Sequence, residues 1–339
     1  MSCSTGWTSV ANSLLRCSPS RPGLSFALLA GLVSAVFQAS AAPSYPPSDL
    51  ARIGSADRLL IVAPHPDDES LCCGGLIYEA RAAGAQVDIV WLTSGDAFEL
   101  DADWVERTWH AGTAGLRELG LRRMQEARTA ARILGVPAES QVFLGFPDRG
   151  LLALILDRFY IGYTSPYTGW SAVGYPGTLQ PGALYEGQNL QAQLQMVLDR
   201  VQPTFVLAPS PLDAHPDHRA AGILVIRMLG ERKQLERVRY WIVHGGLNWP
   251  SPRGLHPDEP LTPPRGSEDM QWESVPLTTQ AREHKLMALD AHQTQQAFGL
   301  EPRFLNAFVR RNELFAREPL PRMLPAPSAS PSGAAASSH

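Results

Sequence analysis

The sequence predicts an α/β fold, a Rossmann-like three-layer sandwich around a mostly parallel sheet, on three observations. Apolar runs such as Arg58–Ala63, Val87–Thr93 and Thr204–Ala208 show little polar alternation, which is the mark of strands buried on both faces. Segments of helical length separate them, the order that builds parallel sheets. The polar clusters able to do chemistry stand where strands end, and open α/β sheets form their ligand crevice there.

The elements follow in chain order. After a Pro-rich joint at 43–48, Arg58–Ala63 reads as the first strand. Ser70–Ala83 reads as a helix leading away from it, with Asp68 and Glu69 suited to its positive end. Gly74-Gly75 would let that helix pack closely on the sheet. Val87–Thr93 is the second strand and Leu116–Leu134 a helix closed by Gly135, a residue type that suits a helix end. Gln141–Gly145 is a short third strand that empties into Phe146-Pro147-Asp148.

Residues 157–189 break the alternation with Tyr160, Tyr163, Tyr167, Trp170, Tyr175 and Tyr185. A loop this long within a domain is more often functional or disordered than filler. Its aromatics could stack on sugar rings or pack on one another. The alternation then resumes with helix Asn189–Val201, strand Thr204–Ala208, helix Arg219–Leu229 and strand Arg239–Val243. A Pro/Gly-rich passage at 249–266 precedes a last helix, Gln280–Gln293, and a mixed segment, Phe304–Phe315.

Composition narrows the partners. The chain has 339 residues, a formal net charge of −4 and 44% hydrophobic residues, enough for one large core. That balance gives no support for nucleic acid as a partner. The glycine fingerprint of a dinucleotide site is absent, against the Rossmann-like alternation.

Residues 1–41 read as a secretory signal. Arg16 and Arg21 lie in a polar stretch without acids, Gly23–Phe37 is uncharged and mostly apolar, and Ala39 and Ala41 frame a small-residue cleavage site. The expected location is therefore periplasmic or secreted, with cleavage favoured over retention of residues 23–42 as a membrane anchor. One domain over 42–318 and a disordered Pro/Ala/Ser tail at 319–339 complete the chain. Cys3 and Cys17 fall in the signal, and Cys72 and Cys73 are expected unpaired because a bridge between neighbours is strained. The sequence says nothing of the oligomeric state.

The chemistry concentrates in two turns. His65-Pro66-Asp67-Asp68-Glu69 ends the first strand, and His215-Pro216-Asp217-His218 follows the strand at 204–208. Either alone reads as a capped turn, since proline sets φ and aspartate accepts from the next helix's amides. Together they make one shared metal site the more economical account. Imidazole with carboxylate suits zinc, and a catalytic zinc needs three protein ligands and an open position. Such a zinc lowers the pKa of a water it holds to about 7, which predicts metal-assisted acyl hydrolysis.

The paired motifs resemble those of the PIG-L (LmbE-like) family of zinc-dependent N-deacetylases, over residues 58–315. Leu92-Thr93-Ser94-Gly95, Arg123-Met124-Gln125-Glu126, Leu144–Asp148 and the stretch from Lys285 to Gln295 resemble it too. The resemblance implies an LmbE-like fold and one divalent metal per chain, zinc or alternatively iron, held by His65, Asp68 and His218. It makes Asp67 the general base and His215 the group that stabilises the oxyanion or protonates the leaving amine. Asp217 is expected to orient a histidine. Arg123 and Asp148 resemble positions that contact sugar hydroxyls, and Asp96 shares their face.

Glu69 is expected chiefly to support the helix start. His244, His256, His284 and His292 lack ligand-like spacing and are expected to be solvated or in the core. Cys72 stands where the family commonly has glycine, so the helix packing is expected to differ locally, and the aromatic loop at 157–189 is longer than in the small soluble members, so their substrate does not transfer to this chain. The expected activity is removal of acetyl from an N-acetylated amino sugar or glycoconjugate. A larger sugar–thiol amide is the alternative substrate, and a carbohydrate-binding protein with a structural metal the alternative class.

Overall fold

A computed structural model describes residues 45–98, 111–296 and 301–318. Its seven strands form one sheet in the order β3-β2-β1-β4-β5-β7-β6. They are β1 (Arg58–Ala63), β2 (Gln86–Thr93), β3 (Gln141–Phe146), β4 (Phe205–Pro209), β5 (Val238–Trp241), β6 (Trp272–Pro276) and β7 (Asn312–Ala316). β3 through β5 are parallel, and β7 and β6 close one edge antiparallel. The helices are α1 (Asp68–Ala82), α2 (Gly112–Ile133), α3 (Leu151–Leu156), α4 (Gly187–Val201), α5 (Pro216–Glu231), α6 (Thr279–Asp290), α7 (Gln293–Gln296) and α8 (Glu301–Asn306). α1 and α2 pack against α6, while α3 packs against α4 and α5, with α4 on β1 to β3 and α5 on β4. The three-layer α/β architecture is as the alternation predicts.

The sequence dictates the core directly. Leu59 to Ala63 are all fully buried, as expected for a strand covered on both faces. α4 turns Leu190, Leu194, Val197, Leu198 and Val201 inward at helical spacing. Each such side chain contributes about 1.5–3 kcal/mol on burial.

The strand order matters for function. Connections run outward from β1 in one direction through β2 and β3, and in the other through β4 and β5, so β1 and β4 are neighbours at the switch point. They pair in parallel, with Ile61 opposite Leu207. Both His/Asp turns leave these two strands at the same edge, the place where such sheets bind ligands.

Several expectations need correction. α5 starts at Pro216, so the second motif is the helix start itself. β6 and α3 were not expected. Among the strands β6 pairs with β7, its other side meets only an isolated bridge from Pro47 to Ser274, and it ends in Pro276, so its signal is weak. Gly74-Gly75 admits α6 and its approach rather than the sheet, since a Cβ on Gly75 would meet Leu277 Cδ1 at 2.4 Å and one on Gly74 would meet Lys285 Cγ at 3.1 Å. Cys72 and Cys73 are joined as a disulfide, not left as thiols. At that level of α1 other groups also enter the helix. Glu313 accepts from Gly75 N and Leu76 N at 2.9 Å each, and Lys285 Nζ donates to Leu71 O.

The loop from 157 to 186 closes on itself through a bridge between Ala172 and Leu184, and Leu179 N donates to Phe143 O of β3. Tyr175 and Tyr185 are buried in it, so these two pack rather than await a ligand, while Tyr160 is exposed. The expected signal at 1–41 and the tail at 319–339 lie outside the described residues. Among the described residues no helix is long and apolar enough to cross a membrane.

Candidate active site

The turn after β1 is held in an unusual backbone. Asp67, the residue before α1, has φ 142° and ψ −30° and makes no side-chain cap. Its carbonyl starts the helix by accepting from Ser70 N and Leu71 N. Its N–H donates to Glu69 Oε2 at 3.0 Å, and Asp68 Oδ2 closes the turn by accepting from His65 N at 2.8 Å. Glu69 therefore does more than support a helix start. Fully buried, it also accepts from Trp91 Nε1 and Ser70 Oγ and faces His292 Nε2 at 3.1 Å.

The turn after β4 is relaxed. His215 is a regular N-cap (φ −78°, ψ 130°) whose Nδ1 accepts from Asp217 N, and Pro216 takes the first helical position. With Nδ1 accepting, its proton is on Nε2, which makes that nitrogen a donor. Burial and the neighbouring His65, His218 and His244 push the His215 pKa down to about 2, so the ring is neutral.

His65, Asp68 and His218 meet. His65 Nδ1 lies 3.3 Å from Asp68 Oδ2, and His218 Nε2 lies 3.3 Å from Asp68 Oδ1 and 3.3 Å from His65 Nδ1. A tetrahedron with metal–ligand bonds of about 2.0–2.1 Å has edges of about 3.3 Å. Each imidazole is turned by a carboxylate behind it. Asp213 Oδ2 faces His218 Nδ1 at 3.1 Å, while Asp217 Oδ2 and Asp148 Oδ1 face His65 Nε2 at 3.3 and 3.2 Å. Those carboxylates accept only, so the ring protons point to them and two lone pairs converge with Asp68. Such a convergence calls for a cation, and the donor set fits one.

The surrounding carboxylates favour positive charge at this point, supplied by protons on the rings or by a metal ion. Burial disfavours a charged His218, yet Asp213 and Asp68 outweigh it and push its pKa up to about 10. Burial likewise opposes charge on His65, and Asp148, Asp217 and Asp68 still raise it well above the ordinary value. His65, His215 and His218 can hold a metal ion, as can Asp213, His218 and His244.

A cavity of about 180 Å³ opens over this cluster, lined among others by His65, Asp67, Asp68, Asp148 and His215. Asp67 is raised to about 7 by burial and by Asp68, against the pull of Arg123, His292 and His65. Arg123 lines the cavity, but its guanidinium donates to Gly95 O and Pro66 O and lies 3.6 Å from Asp67 Oδ2. It thus ties two strand-end loops together. Gly95 (φ +68°) makes room, since a Cβ there would meet Arg123 Cζ at 2.6 Å.

Asp148 faces the cavity and accepts from Ala97 N. Asp217 is buried behind His65 and also accepts from Arg149 N and Leu151 N. Asp96 is not brought to the cavity lining. Its Oδ2 accepts from buried Tyr175 at 2.6 Å.

Three residues at the site were missed from sequence. Asp213 orients His218, and its position two residues before His215 was the available signal. His244, expected solvated or in the core, lines the cavity with its ring 4.7 Å from that of His218. It follows β5, the strand beside β4, so strand order could have found it. Gln295 donates from Nε2 to Asp67 Oδ2 and lines the cavity. His292 is buried as a core histidine, but paired with Glu69.

Fold and site together define an α/β protein with a metal-competent His/Asp centre at the switch point of its sheet. The model of the PIG-L family, described as GlcNAc-PI de-N-acetylase, matches residues 60–229, and the chain belongs to that family. It is 29% identical over 250 residues to the 1D-myo-inositol 2-acetamido-2-deoxy-alpha-D-glucopyranoside deacetylase of Saccharomonospora viridis, covering 71% of this chain and 86% of the relative. It is 28% identical over 172 residues to the diacetylchitobiose deacetylase of Thermococcus kodakarensis, covering 50% of this chain and 48% of that protein. The solved N,N'-diacetylchitobiose deacetylase from Pyrococcus horikoshii aligns with TM-score 0.46 and 20% identity, over 76% of this chain and 82% of its own.

Proposed function

We propose that the chain is an exported, zinc-dependent amidohydrolase that removes the acetyl group from an N-acetylated amino sugar or its conjugate. The observation that carries this reading is the placement of Asp67 in the cavity beside three converging donors, His65, Asp68 and His218, without being one of them. Family membership and the deacetylase relatives point the same way. His65, Asp68 and His218 would hold the zinc, with iron as the alternative ion. Zinc bound there supplies a Lewis acid and a water of lowered pKa.

The chain's own groups supply the rest. Asp67 takes a proton from the attacking water, whose oxygen bonds to the acetamide carbon. His215 donates from Nε2 to the oxygen that becomes negative, a role open to a neutral imidazole. Collapse breaks the C–N bond, the amine leaves with the proton, and acetate remains. Asp148 and Arg123, at the cavity wall, are the sugar-facing candidates, whereas Asp96 is bonded to the buried Tyr175 and does not line the cavity.

Export rests on the residue pattern of 1–41, with a periplasmic or secreted location. The test is metal analysis of residues 42–339 with an acetate-release screen on N-acetylglucosamine, diacetylchitobiose and an N-acetylglucosaminyl inositol. Zinc-bound protein that releases acetate from none of them would overturn the reading.

A further inference from the structure

Outside the segment that the family model matches, α7 reaches back into the site. We propose that Gln295 is a positioning residue that holds Asp67 in one working orientation, with His292 and Glu69 locking the backbone beneath it. This rests on the reading of Asp67 as the general base.

The backbone of Asp67 lies where a residue with a side chain is strained, and such a conformation persists only when its surroundings over-determine it. The surroundings here are Glu69 and what holds it. Glu69 Oε2 accepts from Asp67 N and Trp91 Nε1, and its Oε1 meets Ser70 Oγ and His292 Nε2. His292 begins the short segment that carries Gln295. Thr294 anchors the same segment to α2, donating from N at 3.1 Å and from Oγ1 at 2.7 Å to Glu126. Three residues of four consecutive positions thus reach three different acids, Glu69, Glu126 and Asp67.

Gln295 completes the arrangement at the side chain. Its amide nitrogen donates to Asp67 Oδ2, the same oxygen that Arg123 approaches. A carboxylate accepts only, so the amide must turn its nitrogen that way. Oδ2 is occupied, and Oδ1 has no hydrogen-bond partner among the described residues. One oxygen is thus held from two sides, by Gln295 and by Arg123. Gln295 carries no charge and cannot serve as a base, which leaves orientation as its contribution.

Gln295→Met keeps bulk without the donor, and Gln295→Ala removes both. The expected result is a fall in kcat of about 10²-fold with KM and bound zinc little changed, as for a misplaced catalytic group. In an Asp67→Asn background the same changes should add no further loss, because Gln295 acts only through Asp67. Unchanged kcat in both variants, or a loss that multiplies in the Asp67→Asn background, would overturn the assignment. Crystal structures of the wild-type and Gln295→Met proteins decide it without any substrate. A single Asp67 rotamer that survives the substitution overturns the proposal, and one that is lost supports it. A wild-type protein inactive on the whole acetylated panel would instead sink the deacetylase reading alone.

Discussion

The turn that leaves β1 and the turn that leaves β4 place the same residue types around one point, yet their backbones are built by opposite means. The second is a relaxed helix start in which His215 caps, Pro216 begins the helix and Asp217 serves as acceptor for Arg149 N and Leu151 N. The first has a left-handed Asp67 with no cap of its own, stabilised by Glu69 of the same turn and by Arg123 and Gln295 from elsewhere in the chain. A conformation that costs free energy locally and is supported remotely is typical of a residue whose direction matters for function. The second turn needs no such support, because its histidine is turned by Asp213 within the same loop.

If that contrast is right, the two turns fail differently when altered. Asp67→Asn keeps the size and the hydrogen-bonding geometry but removes the base. Turnover should fall by about 10²–10⁴-fold, the usual worth of a general base, with bound zinc retained. Acetate release and metal content measured on one preparation check both halves. Activity near the wild-type level would remove the reason for the strained turn.

Asp213→Asn tests the other side with a smaller effect. It still offers an oxygen, but no longer a charge behind His218 Nδ1. Zinc affinity should weaken by about 10–100-fold, as for outer partners of metal ligands, while kcat at saturating zinc stays close to normal. Competition with a chelator gives the affinity. A kcat loss that excess zinc does not restore would mean that both turns carry chemistry, and the contrast would fail.

Much of this was legible in the sequence. The five-stranded parallel core follows from apolar runs such as Leu59–Ala63, because burial on both faces leaves no alternation to misread. The two His/Asp turns could be singled out because residue type and strand-end position together restrict what they can do, and it was the resemblance to the PIG-L family that implied His65, Asp68 and His218 as the ligands among them. What was not legible depends on contacts distant in the chain. The partner of Asp67 lies on α7, 228 positions away, and no local rule relates them. Glu69 looks like any acid at a helix start until Trp91 and His292 are seen to bond it. The strain at Asp67 was invisible for the same reason, since aspartate before a helix ordinarily reads as a cap. Asp96 was misplaced because a shared sheet edge does not say which way a side chain turns.

Asp96 also supplies the smallest and sharpest test, since it is a strand-end acid without a cationic partner of the kind that Asp148 has. Burial works against both carboxylates. His65 and Arg123 outweigh it at Asp148 and hold that pKa well below the ordinary range. At Asp96 burial is joined by the charge of Asp148, and the hydrogen bond from Tyr175 does not offset them, so its pKa rises to about 7. The folded protein therefore keeps this proton after the unfolded chain has released it. Stability from this group is fully present below about pH 4 and is lost progressively as pH rises to about 7. Asp96→Asn keeps an acceptor for Tyr175 and removes the titration. The stability of the wild-type protein relative to this variant, from urea midpoints, should decline between about pH 5 and pH 7 and level off above about pH 8. A difference that stays flat across that window would show that Asp96 is ionised in the fold, and that a third acid at this edge is supported as well as those of the two turns.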